Sequence, residues 1–133
     1  MVKTETVGMW EVAKSNPVIK LAKDIPNYSF ITYEGFDYLV HNTAKGDDSY
    51  REDIEIKAGD WINGLLLKAW EGQKLVIDAK HIVGGVDALE KDSILVVGED
   101  GLLKSGDATG VYLKVTEKTV LTEDAVKAVI CVA

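Results

Sequence analysis

The side chains of this 133-residue sequence that could do acid–base chemistry include two histidines, His41 and His81. His81 follows Asp78 by three residues, and a histidine beside an aspartate can act as the base of a hydrolytic triad once a serine joins them. The chain has no G-x-S-x-G elbow that would present such a serine. Because such residues also coincide by chance in an acidic chain, we interpret both histidines as polar or edge residues and predict no enzymatic activity.

Metal and phosphate chemistry is not indicated either. The sequence lacks a calcium-loop pattern, an H-E-x-x-H pair and a glycine-rich phosphate loop. The acidic stretches 46–48 and 98–100 combine glycine with carboxylates, as turns commonly do for backbone reasons. Cys131, the only cysteine, lies in an apolar stretch and is interpreted as a buried, inert thiol. We therefore predict no catalytic residue, no metal site and no cofactor.

Aromatic side chains offer a binding chemistry. Trp61 and Trp70, two of the three tryptophans, lie in the stretch AGDWINGLLLKAWEGQKLVID, residues 58–78. Two neighbouring indoles can form a platform for a sugar, and the polar residues 71–73 could hold its hydroxyl groups. We favour the simpler interpretation, in which both tryptophans anchor a core or a protein interface. A carbohydrate-binding β-module that uses Trp61 and Trp70 is the alternative.

Composition narrows the class of partner. The length of 133 residues suits a single domain, and one cysteine excludes an intrachain disulfide. The net charge is −7 at pH 7, and an acidic surface is repelled by phosphate backbones, so we expect no nucleic-acid partner. No apolar run is long enough to span a bilayer, and the first residues do not resemble a signal peptide. We therefore expect no membrane partner and a cytoplasmic origin.

From residue 27 onward the pattern is that of β-structure. Alternating aromatic and β-branched residues on both sides of the Glu-Gly pair at 34–35 predict a hairpin. Residues 61–70 could form a helix, but Gly64 inside it is unfavourable there, so we favour two short strands about an Asn-Gly turn at 63–64. The Asp-Gly pair at 100–101 predicts a type I′ hairpin turn. The alternating last segment, 125–133, is typical of a closing strand. Short strands separated by frequent turns favour a mainly β fold, as a small barrel or sandwich-like domain.

The first 26 residues have a different character. They contain both prolines of the chain, Pro17 and Pro26, and lack a clean strand or helix period. We interpret residues 1–26 as an extended N-terminal arm and residues 27–133 as the β-rich domain. Apolar side chains of the arm require burial, either on their own domain or on a partner. These side chains are Trp10, Val18, Ile19 and Leu21.

Several stretches of the chain resemble tailed-phage head decoration proteins, also called capsid cement proteins. They are IEIKAGDWINGLLLKAW, ALEKDSILVVGEDGLLK, TGVYLKV and AVKAVICVA, all within residues 54–133. The resemblance implies a non-enzymatic virion structural protein that is made in the host cytoplasm. It further implies binding to the major capsid protein on the capsid exterior, stabilisation of the expanded shell, and a homotrimer at local three-fold positions.

Under this resemblance, the arm and the two central tryptophans are expected to contact the capsid or other subunits. The candidate contact residues are Trp10, Val18, Ile19, Leu21, Trp61 and Trp70. Another virion module, such as a head fibre base or a tail component, is the nearest alternative.

Overall fold

The fold is built from short strands joined by tight turns. The structure, a computed structural model, describes residues 2–4, 18–40, 55–59 and 61–133, which form twelve β-strands and two 3₁₀ helices. The strands are β1 (Val2–Thr4), β2 (Val18–Lys20), β3 (Ile25–Pro26), β4 (Ser29–Tyr33), β5 (Phe36–Val40), β6 (Glu55–Ile56), β7 (Trp61–Leu66), β8 (Lys74–Asp78), β9 (Ile94–Val97), β10 (Leu103–Ser105), β11 (Val111–Val120) and β12 (Asp124–Val132). The 3₁₀ helices are Leu67–Trp70 and Ala79–His81.

The strands form three antiparallel sheets. One sheet has six strands in the order β1-β8-β12-β11-β9-β10, and another has four strands in the order β2-β7-β5-β4. Strands β3 and β6 form a two-stranded sheet. The sheets are open, so the predicted mainly β, sandwich-like fold is confirmed and the barrel alternative is not formed.

The main hydrophobic core lies between the four-stranded and six-stranded sheets. Phe30, Leu39 and Leu65 come from the four-stranded sheet, and Leu75 and Leu113 come from the six-stranded sheet. All five side chains are at most 1% exposed. Burial of one such side chain contributes about 1.5–3 kcal/mol, so this shared core holds the two sheets together.

A second core covers the other face of the four-stranded sheet. Side chains alternate between the two faces of a strand, so in β5 Leu39 enters the main core whereas Tyr38 and Val40 enter the second core. Ile25 of β3 and Ile56 of β6 complete this second core. The two-stranded sheet therefore lies over the four-stranded sheet as a third layer.

Two hairpin turns have the backbone that the sequence predicts. The pair Glu34 and Gly35, between β4 and β5, has φ values of +50° and +86°. The pair Asp100 and Gly101, between β9 and β10, has φ values of +58° and +82°. Positive φ at both central residues defines the type I′ turn, whose twist matches that of the flanking strands. The predicted hairpin at 34–35 and the predicted turn type at 100–101 are both confirmed.

The Asn-Gly pair at 63–64 is not a turn. Strand β7 runs straight through it, so the prediction of strand structure is confirmed and the prediction of a turn is wrong. A Cβ atom on Gly64 would lie 2.5 Å from Ile19 Cδ1 and 2.9 Å from Tyr38 Cδ1. The glycine therefore serves close packing with both neighbouring strands, a tertiary requirement that the local sequence does not reveal.

Both ends of the described chain enter the sheets. In the segment interpreted as an arm, β1 pairs with β8 and β2 pairs with β7, so its described parts are strands of the same fold as the rest. The segment interpreted as a closing strand, 125–133, lies instead in the middle of the six-stranded sheet, because β12 pairs with β8 on one side and β11 on the other.

Candidate interaction surface

The apolar side chains of the predicted arm are used inside the chain where the structure describes them. Ile19 and Leu21 are both buried in the second core. Val18 lies on β2 opposite Asn63. Of the two alternatives for Ile19 and Leu21, the structure shows burial on their own domain, and contact with a partner would require them to leave it. Trp10 lies outside the described residues.

Trp61 presents a large apolar surface to solvent. It is the first residue of β7 and lies on the same side of the strand as Leu65, yet its side chain is 61% exposed. Lys20 lies directly opposite on β2, and its Nζ atom is 5.6 Å from the centre of the indole ring. An ammonium over an aromatic face is attracted by the ring quadrupole, a contact worth about 0.5–1 kcal/mol at an exposed site.

Trp70 has a different environment from Trp61. It ends the 3₁₀ helix that follows β7 and packs, half-buried, against the main core. The strand between the two tryptophans extends by about 3.3 Å per residue, so roughly 16 Å of chain separates Trp61 from the end of β7. Trp61 is therefore the exposed member of the pair, whereas Trp70 takes part in the main core.

Phe36 is an exposed aromatic residue that the sequence analysis did not single out. It follows the Glu34–Gly35 turn at the start of β5 and is 48% exposed. A groove of about 550 Å³ beside it is lined by Asp37, Lys68 and the ends of β9 and β11. The position directly after a two-residue hairpin turn was the available signal, because side chains there project from the tip of the hairpin.

The structure buries His81 and engages the Asp78 carboxylate with Thr122. His81 is 5% exposed, and its Nε2 atom has no hydrogen-bond partner among the described residues. Burial lowers the pKa of His81 to about 4, so the imidazole is neutral near pH 7. The Asp78 carboxylate accepts hydrogen bonds from the backbone N–H and the hydroxyl of Thr122. The carboxylate therefore fixes the loop before β12. The other histidine, His41, lies outside the described residues.

A hydroxyl near His81 is also engaged elsewhere. Ser29, His81 and Asn27 line a cavity of about 240 Å³. The Ser29 hydroxyl donates a hydrogen bond of 2.5 Å to the carbonyl oxygen of Pro26, so it fixes the backbone before β4. This geometry gives Ser29 a structural role.

The described part of the chain has few other side chains that could bind a metal or react. No group of three histidine, cysteine, aspartate or glutamate side chains converges there as a metal site. The half-buried Cys131 contacts the carbonyl oxygen of Val129 at 3.7 Å. No helix within the described ranges is long and apolar enough to cross a membrane.

Comparison with known proteins finds no relative of this chain. No protein-family model, curated protein or solved structure matches the chain. The functional assignment therefore depends on the fold and on exposed side chains of the described residues, such as Trp61.

Proposed function

We propose that this chain is a non-enzymatic structural protein of a phage virion that binds the outside of the capsid and stabilises it. The partner in this proposal is the major capsid protein. The observation that carries it is the exposed indole of Trp61, which lies beside Lys20 of the neighbouring strand. Tryptophan is the residue most enriched at the centres of protein interfaces.

The fold supports such a role in a second way. A three-layered β-structure with a hydrophobic core on each face of the four-stranded sheet gives a rigid base on which the exposed side chain is held. Rigid presentation favours binding because the surface does not need to order when it meets its partner. Repetition of one weak contact over a capsid lattice adds up to strong stabilisation of the shell.

Replacement of Trp61 by alanine is expected to weaken binding to expanded phage heads by about 30-fold or more, the effect of losing one interface hot spot. Co-sedimentation of the full chain with heads assembled without it measures the dissociation constant. The fold should be unaffected, because substitution of an exposed side chain changes stability by only about 0.5 kcal/mol.

Val83→Ala is the control, since Val83 is 57% exposed and its backbone N–H is bonded to Leu103 of the six-stranded sheet, whereas Trp61 belongs to the four-stranded sheet. Equal binding by the Trp61→Ala and Val83→Ala variants would remove Trp61 from the proposal. Failure of the natural chain to bind heads at all would refute capsid binding, and particle imaging would show a head fibre base or a tail component by its location.

A carbohydrate-binding module is the second candidate. The exposed ring of Trp61 is the observation in its favour, because sugars stack on exposed indoles. Titration of a glycan panel against tryptophan fluorescence tests it, and quenching that is lost in Trp61→Ala would support it. The separate environments of Trp61 and Trp70 count against a two-indole platform.

A further inference from the structure

A small cavity lies where three segments of the chain meet. The segment that joins β3 to β4, the 3₁₀ helix Ala79–His81 and the turn between β9 and β10 all contribute to its lining. Its volume is about 240 Å³. Because one water molecule occupies about 30 Å³ of liquid, the cavity has room for about eight waters or for one small organic molecule.

The walls of this cavity are largely apolar. Pro26 and Leu102 line it from two of the three segments, and Gly101 lines it without a side chain. The hydroxyl of Ser29, a further lining residue, already donates to the carbonyl oxygen of Pro26. Apolar walls contribute affinity for a small ligand, and a few polar groups fix its orientation.

His81 supplies a buried polar group to the lining. Its side chain contacts the ring of Tyr28 edge-on, with 6.5 Å between the ring centres, but its Nε2 atom finds no hydrogen-bond partner in the described part of the chain. A buried polar atom without a partner is unfavourable, so a ligand that bonds it gains affinity. The torsion that turns an imidazole ring is soft, so a small rotation directs this nitrogen into the cavity that the ring lines.

The surroundings of His81 are electropositive although the chain as a whole is acidic. Burial is the main reason for the lowered pKa of His81, about 4, and nearby positive charges, including that of Lys80, lower it further. Asp78 acts in the opposite direction, but its carboxylate is bonded to Thr122. Glu123 accepts a hydrogen bond from the backbone N–H of Lys80 and does not line the cavity. A positive potential that disfavours a proton favours an anion.

We infer that this cavity binds a small organic carboxylate, with its apolar body between Pro26 and Leu102 and its charged oxygens bonded to His81. The neutral imidazole carries one N–H, and a hydrogen bond from such a donor to a carboxylate is stronger than one between neutral groups. Lys80, which also lines the cavity, adds a favourable charge. Trp61 is not part of this lining, so the inference does not depend on capsid binding.

Titration of benzoate into the full chain at pH 6.5 tests this inference, with the proton NMR signals of the His81 imidazole as the readout. His81→Gln identifies these signals by their absence. We expect saturable shifts with a dissociation constant of about 1 mM or lower. Benzamide has nearly the same shape and no charge, and should bind about tenfold more weakly. Phosphate lacks an apolar body and should also bind about tenfold more weakly.

The affinity for benzoate should rise as the pH falls from 6.5 to 5, an interval in which benzoate remains largely ionised. A bound carboxylate favours the protonated imidazole, so it raises the pKa of His81 from about 4. Proton and ligand then bind cooperatively, and each increases the affinity for the other. An affinity that is constant over this interval would show that the carboxylate does not meet His81 and would contradict the inference.

Lys80→Gln removes a positive charge from the lining and should weaken benzoate binding by about threefold or more. Lys91→Gln is the matched control, since Lys91 is also exposed but does not line the cavity, and it should bind like the natural chain. Circular dichroism confirms that each variant is folded. Unchanged His81 signals up to about 20 mM benzoate would overturn the inference. So would equal binding of benzoate and benzamide, or equal binding of phosphate, which would indicate an adventitious ion only.

Discussion

Replacement of Gly101 by alanine is expected to lower the free energy of unfolding by about 2–4 kcal/mol, whereas Gly35→Ala should lower it by only about 1 kcal/mol. Both glycines occupy the second position of a type I′ turn, with φ values of +82° and +86°. The backbone strain of an alanine is therefore similar at both. A Cβ on Gly101, however, would contact the Ser29 hydroxyl and lie 2.7 Å from Ser29 Cβ, whereas Gly35 has open space at that position.

Ser29 has little freedom to yield to the new methyl group. Its side chain is buried and its hydroxyl is hydrogen-bonded to the carbonyl oxygen of Pro26. The carbonyl oxygen of Gly101 also accepts a hydrogen bond of 2.8 Å from the backbone N–H of Phe30, which holds the turn against β4. Urea unfolding of the two variants measures the difference. Equal loss of stability would show that Ser29 moves aside and that only the strain at positive φ matters.

Acidification from pH 6.5 to pH 4 is expected to remove about 3 kcal/mol of stability through His81 alone. Burial lowers the pKa of His81 from 6.5 to about 4 in the folded chain. In this interval the unfolded chain binds a proton on this imidazole and the folded chain does not, so stability falls as the pH falls. From about one pH unit above 6.5 the imidazole is almost entirely neutral in both states, and the full contribution is present.

Urea unfolding at several pH values between 7 and 4 measures this slope, and His81→Gln is the control. Glutamine does not titrate, so the variant should have a flatter profile in this interval even if its stability at pH 7 is lower. Asp78 has a lowered pKa because hydrogen bonds, including those from Thr122, outweigh its burial. The stabilising effect of Asp78 is lost only when the pH falls below the ordinary pKa of 3.8, so its effect and that of His81 occur in different pH ranges. An identical dependence of stability on pH in His81→Gln would show that other groups cause the loss of stability in acid.

Local signals predicted the parts of the fold that depend on local geometry. Asp100 and Gly101 specified a type I′ turn because few residue pairs tolerate positive φ at both central positions. The same reasoning was wrong for the Asn-Gly pair at 63–64. There the glycine is needed because the Ile19 and Tyr38 side chains leave no room for a Cβ atom. Such a requirement arises from strand packing, which the chemistry of the pair does not encode.

The candidate surfaces were predicted less well, because exposure depends on contacts between distant segments. Trp61 and Trp70 are equivalent in the sequence pattern, but only the sheet order shows that one is exposed and the other packs on the main core. The row of Lys3, Val76 and Lys127 on the six-stranded sheet was not predicted either. Lys3, Val76 and Lys127 become neighbours only through the pairing of β1, β8 and β12.

The central position of β12 has a consequence for biosynthesis. Strands β8 and β11 have no direct pairing with each other in the six-stranded sheet and meet only through β12, residues 124–132. On a ribosome, these two strands are therefore made before the strand that joins them, and their unpaired edges are open to aggregation until it emerges. A nascent or prematurely terminated chain that lacks β12 should depend on chaperones or be degraded. The six-stranded sheet can therefore be completed only in chains that have been translated through β12.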